Sequence, residues 1–232
     1  MNWANSYGGT PCEELLPLAQ VAGSTSEREI IEMISSATHS YSVKAAACTY
    51  LGQSRSDESL MALVLSLTHS GTVGVEWEVA AALISRGSRK TVRRLLSQLA
   101  LAMPEECREA AVLVLSTLGD RRVRGHLAQV AADARLSPTL REVAAVGLGR
   151  QRLTIEVRRS LILALGDIDP RVRYGGILGS TTHLTDPVIY ATVSDLQQDS
   201  AVPYGGPSLA SYAMESLQAW SASQQRYHRS SY

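Results

Sequence analysis

A segment of similar sequence recurs every 32 or 33 residues over five copies, with a looser sixth copy 37 residues further on, and this repeat limits the folds that the chain can adopt. Each copy opens on an apolar residue, often carries small residues three and four positions later, and usually has Leu at its ninth position. This spacing marks one face of an α-helix. The six copies cover residues 43–51, 75–83, 107–115, 140–148, 172–179 and, more loosely, 209–217.

A second helical segment lies between successive copies. Ser26 and Glu29 have the spacing of a capping box at a helix N-terminus. Later helix starts are predicted at or beside five residues, each 31 to 33 positions after the preceding start: Asp57, Arg89, Arg121, Thr154 and Asp186. Pro follows a capping residue at 138, 170 and 187.

The unit is therefore a helix, a short turn and a second helix. Such a pair buries its apolar face only by stacking on its neighbours. The sequence predicts an all-α fold, a right-handed α-solenoid of about six two-helix repeats over residues 24–222. An N-terminal segment (1–23) with a short capping helix at 13–22 precedes it, and a flexible tail (223–232) follows.

Charge is balanced overall but unevenly distributed, with 22 basic and 22 acidic residues. Residues 1–85 contain 3 basic and 9 acidic residues, residues 86–173 contain 17 and 9, and residues 174–232 contain 2 and 4. Three widely spaced cysteines favour reduced thiols over a disulfide framework. No secretory signal and no apolar run of membrane-spanning length is recognised, so a cytoplasmic location is predicted.

The strings LGDIDPRVRYGGILG, LSPTLREVAAVGLG and CREAAVLVLSTLGD resemble HEAT repeats. The similarity is greatest to the short, bacterial-type HEAT-like form first associated with phycobilin lyases. It covers about 200 of the 232 residues. Glu76 stands where that family usually has Arg, and Gly175 and Gly176 replace alanines. The resemblance implies a solenoid whose second helices line the concave surface. Proteins with HEAT-like repeats include adaptors, assembly factors, lyases and DNA-repair enzymes.

The second and third positions of the repeat supply candidate binding residues. The resemblance implies that arginines at the second position pair with turn aspartates, as the spacing of Asp167 and Arg173 suggests, and so tie repeats together. The alternative is a stripe that binds an anionic partner. The third position is mixed in character and predicts exposure, with aromatics suited to partner contacts. The candidates for protein binding are Trp77, Arg108, Glu109, Arg141, Glu142, Arg173 and Tyr174.

A basic cluster occupies the middle of the chain. It is either a solvated face or a binding patch for nucleic acid or an acidic protein, and the zero net charge argues against nucleic acid. Its members are Arg86, Arg89, Lys90, Arg93, Arg94, Arg121, Arg122 and Arg124.

Signals for catalysis are weak. No nucleophile elbow, phosphate-binding loop, dinucleotide fingerprint or zinc-protease motif occurs. The histidines lack metal-ligand spacing, so no catalytic residue, metal or cofactor is predicted. Glu109 and Glu142 fall in register but are weak evidence for acid–base chemistry. Glycines at 175, 176 and 179 within one helix predict unusually close approach of a neighbouring helix, a ligand or a partner chain.

The leading functional hypothesis is a non-enzymatic scaffold, adaptor or assembly factor that binds another protein on the solenoid surface. Two alternatives stay open. One is a bilin-lyase-like factor that holds a small ligand on the concave face. The other is a nucleic-acid-binding HEAT-like protein. A tail that docks on a partner is a further hypothesis for residues 221–232.

Overall fold

The computed structural model describes residues 26–36, 38–68, 74–99 and 103–230. These residues form helices and turns, with no β-strand among them, which confirms the all-α class. The predicted helix at 13–22 and the 1–23 segment lie outside the described residues. The chain divides into two compact units, Met1–Gly87 and Ser88–Tyr232.

The first unit contains four described helices, which are α1 (Glu27–Ser35), α2 (Tyr41–Gln53), α3 (Asp57–Thr68) and α4 (Glu76–Arg86). The second contains α5 (Arg89–Gln98), α6 (Glu105–Leu118), α7 (Arg124–Ala132), α8 (Pro138–Leu148), α9 (Ile155–Leu165), α10 (Pro170–Ser180), α11 (Pro187–Asp195) and α12 (Leu209–Ser230). Short 3₁₀ turns occur at Arg121–Val123, Thr181–His183 and Leu196–Gln198.

Capping residues fix where the helices begin. The capping box of Ser26 and Glu29 is present at α1, as predicted. Asp169 accepts a hydrogen bond from a backbone N–H of the first turn of α10, and Asp186 does the same for α11. Proline then occupies the first helical position, where its missing N–H leaves no donor unsatisfied. The predicted N-terminal signals are thus confirmed.

Within each unit, helices of the same kind pack on each other. In the first unit α1 contacts α3, and α2 contacts α4. In the second unit α7 contacts α9 and α9 contacts α11, while α6, α8, α10 and α12 contact one another in sequence. We call α2, α4, α6, α8, α10 and α12 the second helices and the others the first helices.

The repeat positions account for the core. The residue that opens a copy is at most 2 % exposed at Val75, Cys107, Leu140, Val172 and Leu209. The leucines at the ninth position are fully buried in the four copies at 43–51, 75–83, 107–115 and 140–148. These faces are buried against neighbouring helices of the same unit.

Glycines set the close approach of α10 to its neighbours, as predicted. A Cβ atom at Gly175 would lie 2.7 Å from the carbonyl oxygen of Glu142, and one at Gly176 would lie 2.9 Å from the amide nitrogen of Leu165. A Cβ at Gly179 would collide with the carbonyl oxygen of Ala145. Backbone atoms cannot give way as side chains do, so α10 needs glycine where it crosses α8 and α9.

The last helix extends past the predicted end of the repeats. α12 continues to Ser230, so residues 223–230, which were predicted to be a tail, have helical backbone. The segment is polar, but Ala222, Gln224, Gln225 and Arg226 have good helix propensity. Polarity alone was therefore a poor guide to the end of this helix.

Candidate functional site

The second helices of the Ser88–Tyr232 unit bring together three tyrosine rings and one carboxylate. We call Glu142, Tyr174, Tyr204 and Tyr212 the tyrosine–glutamate cluster. The rings of Tyr174 and Tyr204 meet edge to face at 5.9 Å, and those of Tyr174 and Tyr212 are 4.6 Å apart. The Tyr204 hydroxyl donates a hydrogen bond to the Glu142 carboxylate.

Helix contacts and one loop build this cluster. Glu142 lies on α8 and Tyr174 on α10, and the missing side chain of Gly175 lets the two helices approach closely. Tyr204 comes from the loop before α12. The start of that loop is fixed by Asp199, whose carboxylate accepts from the Ala201 N–H at 2.9 Å. Gly205, with φ 64°, supplies a left-handed turn directly after Tyr204.

Burial dominates the electrostatics of the cluster. It raises the pKa of the Glu142 carboxyl, while the hydrogen bond from Tyr204 and the charge of Arg171 act in the opposite direction. The pKa of Tyr204 is raised by burial and then by its bond to Glu142. Burial also raises the pKa of Tyr174, so partial desolvation acts in the same direction on all three of these groups.

A second glutamate stands one repeat earlier on the same set of helices. Glu109 on α6 accepts a hydrogen bond from the Ser137 hydroxyl at 3.0 Å. Burial raises its pKa, and Glu105 and Glu106 on the same helix raise it further. Arg171 lowers the pKa of both Glu109 and Glu142, which shows that one guanidinium influences both carboxylates.

Two of the three arginines at the second repeat position, Arg141 and Arg173, bind carboxylates of the following turn. Arg141 pairs with Asp167, 26 residues later, and both side chains are largely buried. Arg173 binds Asp199 at 2.8 Å, again 26 residues later. Arg108 donates to the Met103 carbonyl at 3.2 Å. This arrangement agrees with the predicted role of tying repeats together.

The partners of these arginines differ from the pair of Asp167 and Arg173 that the resemblance implies. Arg173 does not bind the Asp167 carboxylate; it donates to the Asp167 carbonyl oxygen at 2.7 Å and to that of Ile168 at 2.9 Å. The Asp167 carboxylate instead serves Arg141 and the Asp169 N–H. The turn aspartate thus serves the arginine of the preceding repeat, because that side chain reaches it from the neighbouring helix.

The remaining predicted binding residue lies in the first unit. Trp77 on α4 is 44 % exposed. On the adjacent helix α2, Tyr41 donates its hydroxyl proton to Glu78 of α4. Position 76 holds a buried Glu whose two carboxylate oxygens accept from the Gly74 N–H at 2.8 and 2.9 Å.

Most of the basic cluster is exposed in the second unit. Arg89, Lys90, Arg93 and Arg94 are on the surface of α5, which contacts the 3₁₀ turn that carries Arg121 and Arg122. Arg122 lies 3.8 Å from Asp120, and Arg124 follows as the first residue of α7.

Arg86 has a different role, in the first unit. Its guanidinium donates to the carbonyl oxygens of Leu51, Ser54 and Ser56 at the end of α2 and in the following turn. The two units carry related contacts, since Arg150 donates to the Thr117 carbonyl, and Thr182 to that of Gly149 at 2.6 Å. In each case the end of one second helix supplies donors to the preceding one.

A serine cluster around Glu27 was missed by the sequence reasoning. The Glu27 carboxylate accepts from the hydroxyls of Ser54 at 2.5 Å and Ser56 at 2.7 Å, and also from that of Ser59. These bonds lower its pKa. A cavity of about 280 Å³ beside it is lined by Glu27, Tyr50, Gln53 and Ser54. Serine is common at turns and helix starts, so the serines at 54, 56 and 59 carry no sequence signal for binding a carboxylate.

The described part of the chain contains no group of three or more His, Cys, Asp or Glu side chains able to hold a metal ion. Cys48 is fully buried, and burial, followed by the charge of Glu78, raises the pKa of its thiol to about 12. A thiol in this state is a poor nucleophile.

No family model matches the sequence. A search of curated proteins finds no match either. Among the helices of the described residues, none is both long enough and apolar enough to cross a bilayer.

Proposed function

We propose that this protein is a HEAT-like α-solenoid scaffold, adaptor or assembly factor that binds a partner protein on its second helices. The proposed solenoid rests on the repeat of 32 or 33 residues and on the ordered contacts among helices of the same kind within each unit. The family resemblance carries the same implication. The buried thiol of Cys48 fits the reducing cytoplasm that we propose as its location.

The observation that supports this function most is the tyrosine–glutamate cluster. Tyr204 is 57 % exposed, and Tyr174 is half-buried, yet they lie together with Tyr212 beside a carboxylate. Tyrosines that combine apolar area with a polar end are enriched among the residues that dominate protein interfaces. Glu142, Tyr174 and Tyr212 are held on α8, α10 and α12, and side chains that are already positioned lower the ordering cost of binding.

Arg141 and Arg173 take a positioning role in this proposal. Their guanidinium groups are engaged within the chain, and so the anchors of the surface are the tyrosines and glutamates. Charge reversal at either arginine would damage the fold before it reported on a partner. Tyr174 and Trp77 are the better residues for mutation.

Affinity purification from the native host tests the proposal. The tagged full-length protein and its Tyr174→Ala variant are compared with Tyr190→Ala, which also removes a partly exposed tyrosine that packs on another ring. We expect a stoichiometric partner with the wild type and with Tyr190→Ala. Its recovery should fall at least about tenfold with Tyr174→Ala, as for an interface hot spot.

Two results would contradict the function. One is the absence of any stoichiometric partner after chemical cross-linking in cells. The other is equal recovery by all three proteins, with circular dichroism showing the same helix content in each.

A further inference from the structure

The carboxylate of Glu142 occupies an environment that favours an added positive charge. It is half-buried, and the hydrogen bond that it accepts comes from a neutral hydroxyl, that of Tyr204. Glu109, Glu105 and Glu106 lie on the neighbouring helix α6 of the same set. A cation placed here would gain from the Glu142 carboxylate, whose charged neighbours are Asp169 and, with the opposite sign, Arg171.

The rings of the cluster supply a second attraction. A guanidinium or ammonium group within about 6 Å of a tyrosine ring is attracted by the π-electrons of that ring. Tyr174, Tyr204 and Tyr212 come from α10, the loop and α12. Tyr204 bonds to the carboxylate, and the Tyr174 ring contacts the rings of both other tyrosines. Carboxylate and ring faces together suit the flat guanidinium of arginine, which stacks on rings and pairs with carboxylates.

The cations of the chain are already engaged near this site. Arg141 pairs with Asp167 and Arg173 with Asp199. Arg171 lies 3.4 Å from Asp169 and acts on Glu142 only through its charge. Among the described residues, no guanidinium or ammonium group forms a hydrogen bond with the Glu142 carboxylate.

We propose that Glu142 and the rings of Tyr174, Tyr204 and Tyr212 receive one arginine side chain of the partner protein. The Tyr204 hydroxyl gives up its bond to Glu142 when the guanidinium arrives, and the Tyr204 ring remains as a wall of the site. This inference rests on the proposed function and names the chemistry by which the partner is recognised.

Fluorescence anisotropy with a labelled octapeptide of alternating arginine and glycine tests the site on the full-length protein. The reference probe is the same peptide with citrulline, which has nearly the same shape as arginine but no charge. We expect the arginine peptide to bind at least about tenfold more tightly, since a charge-assisted pair contributes about 1.4 kcal/mol or more. Equal binding of the two peptides would overturn the proposal.

Three variants locate the binding. Glu142→Gln keeps an acceptor for Tyr204 and should weaken the arginine peptide about tenfold. Glu156→Gln, in the first turn of the first helix α9, makes the same change in net charge and should leave the affinity unchanged. Tyr204→Phe keeps the ring but frees the carboxylate, and so should tighten binding about threefold. Equal weakening by Glu142→Gln and Glu156→Gln would refute a defined site, and no tightening by Tyr204→Phe would refute displacement of the hydroxyl.

The outcome is independent of the capture experiment. Selective arginine binding without any captured partner would leave this site standing and remove the proposed function. A captured partner together with equal arginine and citrulline binding would do the reverse.

Discussion

The ion pair between Arg141 and Asp167 offers the most direct test of how the repeats are held together. Only 7 % of the Arg141 side chain and 14 % of the Asp167 side chain are exposed. Arg141→Leu would leave the Asp167 carboxylate without its counter-charge and the Leu136 carbonyl without the bond from Nε at 3.3 Å. Removal of one member of a buried pair costs about 3 to 5 kcal/mol, and the slight exposure of Asp167 places the expected loss near about 3 kcal/mol.

Urea unfolding followed by Trp220 fluorescence measures this loss. The protein has three tryptophans, so a Trp3→Phe/Trp77→Phe background leaves the one that packs on Tyr190 in the second unit. Adding Asp167→Asn to Arg141→Leu should recover part of the stability, because the stranded charge is removed while an acceptor for the Asp169 N–H remains.

Arg135→Leu is the matched control. Its partner Asp133 is close, at 2.7 Å, but the Arg135 side chain is 88 % exposed. The free energy of unfolding should then stay within the error of the wild-type value. Equal destabilisation by Arg141→Leu and Arg135→Leu would refute a stabilising role for the buried ion pair.

Three further predictions concern packing, pH and surface charge. Gly179→Ala should destabilise the protein by about 1 to 3 kcal/mol because its Cβ would meet the Ala145 carbonyl. Gly125→Ala, with open space around it, should stabilise α7 by about 0.5 kcal/mol. Thermal melts compare the two variants. Glu27→Gln should lower the free energy of unfolding at pH 7, because the serines stabilise the ionised carboxylate of Glu27. The difference from wild type should vanish as the pH falls through the lowered pKa of Glu27. A difference in the free energy of urea unfolding that stays constant down to pH 2 would contradict this. Arg89→Glu places an acidic residue in the first turn of α5, four residues before Arg93, and should stabilise the helix by about 0.5 kcal/mol at low salt and by less at high salt. An unchanged melting temperature at low salt would contradict this expected gain from the helix dipole and the Arg93 charge.

The positions of the helices could be predicted where the same sequence signal occurs in several copies of the repeat. The positions of α6, α8 and α10 follow from the register of their apolar residues, and the starts of α10 and α11 follow from Asp-Pro pairs. These features are local, and each copy supports the assignment of the others. The glycines of α10 also revealed a close crossing, because a helix tolerates three of them only where space is lacking.

Contacts between distant segments were beyond the reach of that reasoning. Tyr204 bonds to Glu142 from 62 residues away, through a loop that belongs to no repeat. The pairing of Arg141 with Asp167 has the same difficulty. Asp167 could pair with Arg141 or Arg173, and the sequence spacing favours Arg173, which follows it by six residues. The choice depends on helix separation, which only the packed structure fixes.

The donors at the ends of the second helices carry a consequence for synthesis. Arg86 serves the carbonyls that end α2, Arg150 the Thr117 carbonyl that ends α6, and Thr182 a carbonyl just past α8. Each donor lies roughly one repeat later in the chain. When a repeat leaves the ribosome, the carbonyl groups at the end of its second helix therefore lack these side-chain donors until the next repeat has been synthesised. Folding should trail translation by one hairpin, and a pause after a complete repeat would leave that repeat unfinished.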